Sequence, residues 1–219
     1  MKRFYSILEK CPIFYGIEKE SLLRMLTCLG ATVDFYDKKY TVMPEGRPVK
    51  HIGIVLSGSV QMSLTDYYGN RSIISKVYPG ELFAEAFACT ETETMPLSVT
   101  ANEPSYIMLI DCSHILHTCT NNCGFHQQLI FNLMKDIAAK ALFFQQRIEI
   151  TSKRSTREKL MTYLNITAKE TGHSSFEIPF DRQELADFLE VERSGLSAEI
   201  SKLRKEGIIE SKKKYFKLL

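Results

Sequence analysis

The sequence predicts an α+β protein in which an antiparallel β-domain is followed by a long helix and a C-terminal helix-turn-helix with a β-hairpin. Three observations carry this prediction. Between Ala31 and Asp111, short β-branched and aromatic runs alternate with turn signals such as Pro79-Gly80, which is typical of an antiparallel sandwich or barrel. Beyond Asp111, glycine and proline become scarce and apolar residues follow a helical period. Near the C-terminus, two short helical patterns are separated by three residues.

Length and charge limit the classes of protein to which the chain can belong. Its 219 residues allow one large domain or two small ones, and 44% hydrophobic with 25% charged residues exclude a disordered or collagenous chain. The net charge of +2 gives no reason by itself to expect nucleic acid. The charge is uneven, because residues 1–150 carry a net −1 whereas residues 201–219 hold seven basic and two acidic side chains. The positive charge is therefore concentrated at the C-terminal end.

Cysteine usage and hydropathy predict a cytoplasmic protein without a membrane partner. All six cysteines lie in the first 123 residues of a chain too long to need disulfide staples, so reduced thiols are expected. Glu9 and Lys10 interrupt the N-terminal apolar stretch before it reaches the length of a signal peptide. The longest charge-free run, Cys112 to Met134, contains three histidines and several amide side chains, which a bilayer would not accept.

The N-terminal elements follow from local patterns. A turn is predicted from Cys11 to Ile17, and Glu18 to Leu29 is predicted as a short amphipathic helix because its apolar residues recur at helical spacing. Seven strands are predicted between turn signals: Thr32–Tyr36, Tyr40–Met43, His51–Leu56, Ser59–Leu64, Ser72–Tyr78, Leu97–Ala101 and Tyr106–Ile110.

The long helix, Phe125 to Ile150, carries apolar residues at alternating spacings of four and three. A seam of that regularity is typical of a dimerising helix, and the alternative is that it packs on the chain's own β-domain. The seam consists of Ile130, Met134, Ile137, Ala141, Phe144 and Ile148. Thr151 to Thr156 is polar and is interpreted as a hinge. The predicted domains are therefore the β-domain over residues 1–124, the long helix over residues 125–151, and the helix-turn-helix domain over residues 152–219.

The helix-turn-helix has the clearest local signals. Asp181 and Glu184 have the spacing of a capping box, and Phe180 with Leu185 has that of a hydrophobic staple, so a helix is predicted over Arg182–Leu189. A second helix, Arg193–Lys205, places Leu196, Ile200 and Leu203 inward and small residues outward. A small outward face lets a helix enter the major groove of DNA, where the arginine at its start can reach a guanine edge.

Beyond the second helix, Ile208–Glu210 and Tyr215–Leu218 flank three lysines and predict a hairpin, or wing, whose basic tip contacts phosphate. Each element of this module alone is weak evidence for DNA binding. The two helices followed by a basic hairpin, in this order, are specific evidence for it. The predicted DNA-binding residues are Arg182, Gln183, Arg193, Ser194, Ser197, Ala198, Ser201, Lys202, Lys205, Lys212, Lys213 and Lys214.

Several motifs resemble the cAMP receptor protein/FNR (Crp/Fnr) superfamily of bacterial transcription regulators, over almost the full chain. They are Cys-Pro-Ile-Phe-Tyr-Gly-Ile at 11–17, Ile-Val-Leu-Ser-Gly-Ser-Val at 54–60, Pro-Gly-Glu-Leu-Phe at 79–83, the long helix, and Arg-Ser-Gly-Leu-Ser-Ala-Glu-Ile at 193–200. The resemblance implies a cyclic-nucleotide-binding-like β-roll (a double-stranded jelly roll), a dimerisation helix, and a winged helix-turn-helix that reads a palindromic operator as a homodimer. RNA polymerase is a further implied partner if the protein is an activator.

The resemblance also marks departures in the DNA-binding motif. Arg193 matches the family's base-contacting arginine, whereas Ser194 stands where glutamate is frequent and Ala198 where a second arginine is frequent. We therefore expect a different operator. Glu190 replaces the turn glycine that is usual in this motif.

In the effector site, nucleotide-binding relatives carry Gly-Glu-Leu and later an Arg-Ser or Arg-Thr pair that holds the cyclic phosphate. Here Gly80-Glu81-Leu82 is present, but Met95-Pro96 takes the place of the pair, and neither Lys nor Arg occurs between Lys76 and Lys135. A buried phosphate would lack a counter-charge, so cyclic AMP is not expected, and no cofactor is predicted. The predicted effector pocket consists of Gly80, Glu81, Leu82, Phe83, Met95, Pro96, Leu97 and Ser98, with Leu142 and Phe143 from the long helix.

Two alternatives to a small-molecule effector follow from the residues. A metal, haem or redox signal could use a cluster of six soft or borderline ligands, although no CxxC pair occurs and simple burial of these residues is the favoured interpretation. The cluster consists of Cys112, His114, His117, Cys119, Cys123 and His126. A cupin-like metalloenzyme would need several histidines on neighbouring strands, where His51 stands alone, so no enzymatic activity is predicted. A cyclic-nucleotide sensor that does not bind DNA is opposed by the helix-turn-helix.

Overall fold

The computed structural model describes residues 2–68, 71–90, 93–116 and 124–219. The chain divides into two compact units, of which the first ends at Ala139 and the second is Lys140–Leu219. None of the helices in these described ranges is long and apolar enough to cross a bilayer.

In the first unit, helices α1 (Tyr5–Leu8) and α2 (Lys19–Cys28) precede the strands. Among the described residues, eight strands form two four-stranded antiparallel sheets, of order β1-β8-β3-β6 and β2-β7-β4-β5. Their bounds are β1 Thr32–Tyr36, β2 Thr41–Met43, β3 His51–Ser57, β4 Val60–Thr65, β5 Arg71–Val77, β6 Leu82–Phe83, β7 Ser98–Ala101 and β8 Ser105–Asp111. The antiparallel β-domain is therefore confirmed, and each of the seven predicted strands lies within one residue of an observed one at both ends.

The short strand β6 was not predicted from the sequence. It pairs with β3 at Gly53 and Ile54, and both of its residues are buried. A β-carbon at Gly53 would overlap the ring of Phe83, so the glycine makes room for this ring against β3. Two short helices, α3 (Glu85–Cys89) and α4 (Cys112–Leu116), follow β6 and β8.

Helix α5 (Gly124–Thr151) begins in the first unit and ends in the second. Leu129 and Leu133 are buried in the core of the first unit, and the Nδ2 of Asn132 donates to the carbonyl oxygens of Ile13 and Tyr15 at 3.0 and 2.8 Å. Its N-terminal half is thus fixed to the first unit through both apolar packing and buried hydrogen bonds.

The predicted seam of α5 has two environments. Ile130 and Ile137 are half-buried and pack against the core of the first unit, as the alternative interpretation expects. Met134 and Ile148 are 61% and 66% exposed. Ala141 and Phe144 are exposed as well.

The second unit contains the end of α5 and then α6 (Thr156–Thr171), β9 (Ser175–Glu177), α7 (Arg182–Leu189), α8 (Arg193–Lys205), β10 (Ile209–Lys212) and β11 (Tyr215–Leu218). The strands form one antiparallel sheet of order β10-β11-β9. Fully buried leucines of α6, α7 and α8 meet Phe216 of β11 in a separate core. The predicted winged helix-turn-helix is confirmed.

The start of α7 has the predicted capping box. The carboxylate of Asp181 accepts from the backbone N–H groups of Gln183 and Glu184, both at 2.8 Å, and the Glu184 carboxylate accepts from the Asp181 N–H at 2.6 Å. These bonds satisfy N–H groups that a helix start otherwise leaves without partners, which fixes where α7 begins. The amide hydrogen bonds to Asp181 also hold the pKa of its carboxyl below the usual range.

Candidate nucleic-acid interface

The recognition helix α8 has a buried and an exposed face. Leu196, Ile200 and Leu203 point into the core of the second unit. The predicted DNA-contacting residues of α8 are all exposed, namely Arg193, Ser194, Ser197, Ala198, Ser201, Lys202 and Lys205. Because serine and alanine dominate this exposed face, its profile is narrow enough for α8 to lie in a major groove, with Arg193 at its leading end.

Two open grooves run between α8 and the wing. One, of about 410 Å³, is lined by Arg182, Ser197, Ser201, Arg204 and Lys213, among others. The other, of about 740 Å³, continues along Lys205, Lys212 and Tyr215. The structure thus brings predicted residues from α7, α8 and the wing to the same grooves. A concave, cationic surface of this kind suits a phosphate backbone.

Arg204 lines both grooves and was not predicted from the sequence. It directly follows the buried Leu203, which places it on the flank of α8 rather than on the predicted outward stripe. The available signal was topological, because a hairpin that follows α8 closely folds back against one flank of that helix.

The remaining predicted cations have distinct settings. The guanidinium of Arg182 lies 5.6 Å from the ring centre of Phe216, and its burial lowers its pKa from the ordinary value. Lys212 and Lys213 are exposed at the wing, and Lys213 adopts a left-handed φ of 53° in the turn. Lys214 differs from both, because its Nζ donates to the carbonyl oxygen of Pro179 at 2.6 Å. Gln183 is exposed, and its side-chain amide donates to Asp187 at 2.8 Å.

The turn before α8 forms without glycine. Glu190 adopts the left-handed conformation, with φ 53° and ψ 55°, and the N–H of Val191 donates to the carbonyl oxygen of Ala186. Two cations support this residue: Lys159 Nζ donates to its carbonyl oxygen at 3.2 Å, and Arg147 lies 3.6 Å from its carboxylate. The turn therefore forms although glutamate replaces the usual glycine. Glu190 is strained there, because a non-glycine residue with positive φ is unfavourable.

The residues of the predicted effector pocket differ in burial. Leu82, Phe83, Met95 and Leu97 are at most 5% exposed and belong to the core of the first unit. Gly80 and Glu81 form a turn in which the exposed carboxylate of Glu81 accepts from the Tyr78 N–H at 2.8 Å. The pocket therefore stays a prediction.

The other members of the set have different surroundings. Pro96 is exposed, and the hydroxyl of Ser98 accepts from the backbone N–H of Glu45 at 3.3 Å. Leu142 and Phe143 belong to the second unit, where Phe143 packs near Phe188.

In the first unit, the buried carboxylate near the predicted pocket residues belongs to Glu85, at the start of α3, rather than to Glu81. Glu85 was not predicted from the sequence; it follows Ala84, which has a left-handed φ of 62°.

The candidate metal ligands that lie in the described ranges have separate partners. The Sγ of Cys112 is 3.5 Å from that of Cys89, His114 Nδ1 lies 3.2 Å from the carbonyl oxygen of Leu29, and His126 Nε2 lies 2.7 Å from that of Ile115. His117, Cys119 and Cys123 lie outside the described residues. Within those residues, no three His, Cys, Asp or Glu side chains are grouped so as to hold a metal ion.

Comparisons with known proteins agree with this architecture. Residues 33–122 match the cyclic nucleotide-binding domain family, and residues 158–219 match the Crp-like helix-turn-helix domain family. The transcriptional activator protein FnrL of Cereibacter sphaeroides is 20% identical over 189 residues, which cover 80% of this chain and 71% of FnrL.

Two solved structures share the fold. DNR from Pseudomonas aeruginosa matches with a TM-score of 0.53 and 20% identity, covering 100% of this chain and 95% of DNR. CLP, described as a c-di-GMP responsive global regulator of Xanthomonas campestris, matches with a TM-score of 0.57 and 15% identity, covering 91% of this chain and 99% of CLP.

A β-domain of this topology joined to a winged helix-turn-helix with a cationic groove defines a DNA-binding transcription regulator. Within that class, the chain belongs to the Crp/Fnr family.

Proposed function

We propose that the protein regulates transcription as a homodimer on a palindromic operator, in the cytoplasm and without catalytic activity, in response to a signal other than cyclic AMP. The main observation in support of a dimer is the exposed apolar stripe of α5. Met134, Leu142 and Ile148 are each more than 60% exposed, and Phe131 and Phe144 are 49% and 45% exposed. Soluble proteins seldom leave a contiguous apolar stripe of this kind uncovered.

A second copy of the chain is the occupant that this stripe favours. With the exposed Ala141, the stripe includes four members of the predicted seam, whose spacings alternate between four and three. That alternation is the pattern of two helices packed side by side. A parallel, two-fold related pair carries two copies of α8, one for each half-site of a duplex. Their half-sites would then be about 34 Å apart, or a multiple of that distance, and the operator would be an inverted repeat.

The β-domain supports a signal other than cyclic AMP. Between Lys76 and Lys135 the sequence has neither lysine nor arginine to neutralise a cyclic phosphate. Met95, in the place of the arginine, is 2% exposed and packs in the core. A buried anion there would have lost its hydration without gaining an ion pair. A metal or haem signal through Cys112, His114 and His126 is a second candidate, and their separate partners favour it less.

The dimer is tested by the mass of the full chain in solution. Ile148→Glu places a charge in the stripe, and Asn165→Glu adds the same charge at an exposed position of α6. We expect the native chain and Asn165→Glu to sediment as dimers, and Ile148→Glu as a monomer that has lost operator affinity. A native chain that is monomeric at micromolar concentration while it binds its operator would contradict the proposal.

The operator is tested by selecting bound duplexes from a random pool, with and without cell metabolites. We expect an inverted repeat whose half-site centres are about 10 base pairs apart or a multiple of that. Adding cyclic AMP is expected to change neither the sites nor their affinity. Enrichment of a single asymmetric site would exclude a palindromic operator. A change in DNA binding on addition of cyclic AMP would exclude the proposal that the signal is another molecule. RNA polymerase recruitment to the selected site would identify an activator.

A further inference from the structure

Two cysteines of the first unit lie close together although 23 positions separate them in the chain. Cys89 is the last residue of α3, Cys112 is the first residue of α4, and their Sγ atoms are 3.5 Å apart and hydrogen-bonded. Both are thiols rather than a disulfide. A disulfide bond is about 2.05 Å long, so the two sulfur atoms need to approach by about 1.5 Å to bond.

The two thiols differ in the way that a reactive and a resolving cysteine differ. Cys89 is half-buried, so a small oxidant can reach it, whereas Cys112 is 3% exposed and is shielded from solvent. The hydrogen bond from Cys112 lowers the pKa of Cys89 from the ordinary thiol value, against the opposing effects of burial and of the Glu85 carboxylate. A larger thiolate fraction favours attack on a peroxide.

We propose that Cys89 and Cys112 are an oxidation site for hydroperoxides that closes to an intramolecular disulfide. In the first step, the thiolate of Cys89 attacks one oxygen of hydrogen peroxide, the O–O bond breaks, and hydroxide leaves to form water, giving a sulfenic acid. In the second step, the sulfur of Cys112 attacks the sulfenic sulfur, the S–S bond forms, and the S–O bond breaks to release the second water. The two thiols lose two electrons, which reduce one peroxide to two waters.

The position of Cys112 connects this site to α5. Cys112 begins α4, and the carbonyl oxygen of Ile115 in the same helix accepts from His126 Nε2 of α5 at 2.7 Å. A disulfide bond to Cys89 would fix α4 against α3. It would thereby also fix the carbonyl oxygen of Ile115, to which α5 is hydrogen-bonded. Its effect on DNA binding rests on the proposed function, in which α5 is the dimer helix. The formation of the disulfide does not rest on it.

The disulfide is tested by mapping thiols in the full chain after treatment with hydrogen peroxide and alkylation. Trypsin leaves both cysteines in one peptide, because the sequence has neither lysine nor arginine between Lys76 and Lys135. Chymotrypsin cuts after Phe87, Leu109 and Leu116, which places Cys89 and Cys112 in separate short peptides and separates Cys112 from Cys119. We expect one cross-linked peptide pair that is two hydrogens lighter than the reduced peptides and is released by dithiothreitol.

Variants assign the partners. Cys89→Ser and Cys112→Ser should each abolish the cross-link, and Cys112→Ala serves if the serine variant does not fold. Cys28→Ser, at an exposed thiol, is the matched control and should leave the cross-link unchanged. A chain with both Cys119→Ser and Cys123→Ser should form the same cross-link. Over-oxidation of Cys89 without a cross-link, or a link from Cys89 to Cys119 or Cys123, would overturn the proposal.

The regulatory consequence is measured separately, as operator affinity of the reduced and the peroxide-treated chain. We expect about a tenfold difference, within the usual range of allosteric coupling, that dithiothreitol reverses and that Cys89→Ser removes. If the disulfide forms but operator affinity is unchanged, the two cysteines are an oxidation site that does not regulate DNA binding. Absence of any operator binding in the reduced chain would contradict the proposed function and leave the mapping result intact.

Discussion

The guanidinium of Arg157 lies 2.7 Å from the carboxylate of Glu206, so the first turn of α6 holds the residue that directly follows the recognition helix. A second nitrogen of Arg157 lies 3.5 Å from Glu199 on α8. One side chain therefore fixes the orientation of α8 against α6 at two points.

Arg157 also determines part of the acid sensitivity of the second unit. Its hydrogen bond holds the pKa of Glu206 below the ordinary value of 4.5. A depressed carboxyl pKa contributes stability that is fully present above the unfolded-state pKa and is lost as pH falls through the folded-state pKa. We therefore expect Arg157→Met to lower the melting temperature of the second unit at pH 7, with a difference that disappears well below pH 4.5.

Lys217→Met is the matched control for Arg157→Met, because it removes an ion pair to Glu210 within the wing. It should reduce thermal stability less than Arg157→Met does. A pH-independent difference between the native chain and Arg157→Met would contradict the role of Glu206.

Glu190→Gly should stabilise the second unit. A non-glycine residue in the left-handed region costs about 1–2 kcal/mol, and glycine removes that strain. The lost contact with Arg147 is an exposed pair worth at most about 1 kcal/mol. We expect the free energy of unfolding, measured by urea titration, to rise by about 0.5–1 kcal/mol. Glu192→Gly, where φ is −66°, relieves no left-handed strain and should raise the free energy of unfolding less than Glu190→Gly does.

Arg193→Ala should reduce affinity for the specific operator by about 1–3 kcal/mol per half-site and relax the preference at one base position of each half-site. Arg193 is exposed at the first position of α8, where a side chain can form two hydrogen bonds to guanine. The measurement is a titration of the selected operator and of its single-base variants. An equal loss on random DNA would exclude base reading by Arg193.

Lys213→Gln should weaken binding to all sequences alike. Lys213 is exposed in the turn of the wing and lines the smaller groove, so it is placed to contact phosphate. Each phosphate contact contributes about 0.9 to the slope of log affinity against log salt, and a homodimer loses two such contacts, so that slope should become shallower by about 2. Lys10→Gln, which removes an exposed lysine of the first unit, should leave the slope unchanged.

Gly53 and Phe83 should show strong coupling in a double-mutant cycle. Gly53→Ala introduces a β-carbon that overlaps the Phe83 ring, which should cost about 1–3 kcal/mol. Phe83→Ala leaves a cavity and should cost about 3–5 kcal/mol. The double variant should be more stable than the sum of these losses predicts, because the new methyl group occupies space left by the ring. Additive losses in urea titrations would contradict this packing.

Local signals predicted the elements of this protein well. The strands, the capping box at Asp181 and the wing depend on neighbours a few residues away, which the sequence displays directly. Glu190 shows the limit of such rules, because a left-handed turn residue is usually glycine, yet contacts from Lys159 and Arg147 support a glutamate there.

Contacts between distant residues could not be predicted in the same way. The spacing of Ile137 and Ile148 is equally regular, yet the β-domain half-buries Ile137 and leaves Ile148 exposed. The helical spacing of apolar residues predicts that a helix has an apolar stripe, but it does not predict which part of the protein covers that stripe. Cys89 and Cys112 are brought together by the fold of the first unit, and no spacing along the chain predicts that contact.

Phe188 lies where three parts of the second unit converge. Its ring is 4.8 Å from Phe180, 5.4 Å from Tyr163 of α6 and 6.2 Å from Phe143 of α5. The chain contains no tryptophan, so Phe188→Trp would make this cluster the sole source of indole emission. The emission maximum would then report how tightly α5 packs against the helix-turn-helix as DNA or an oxidant is added.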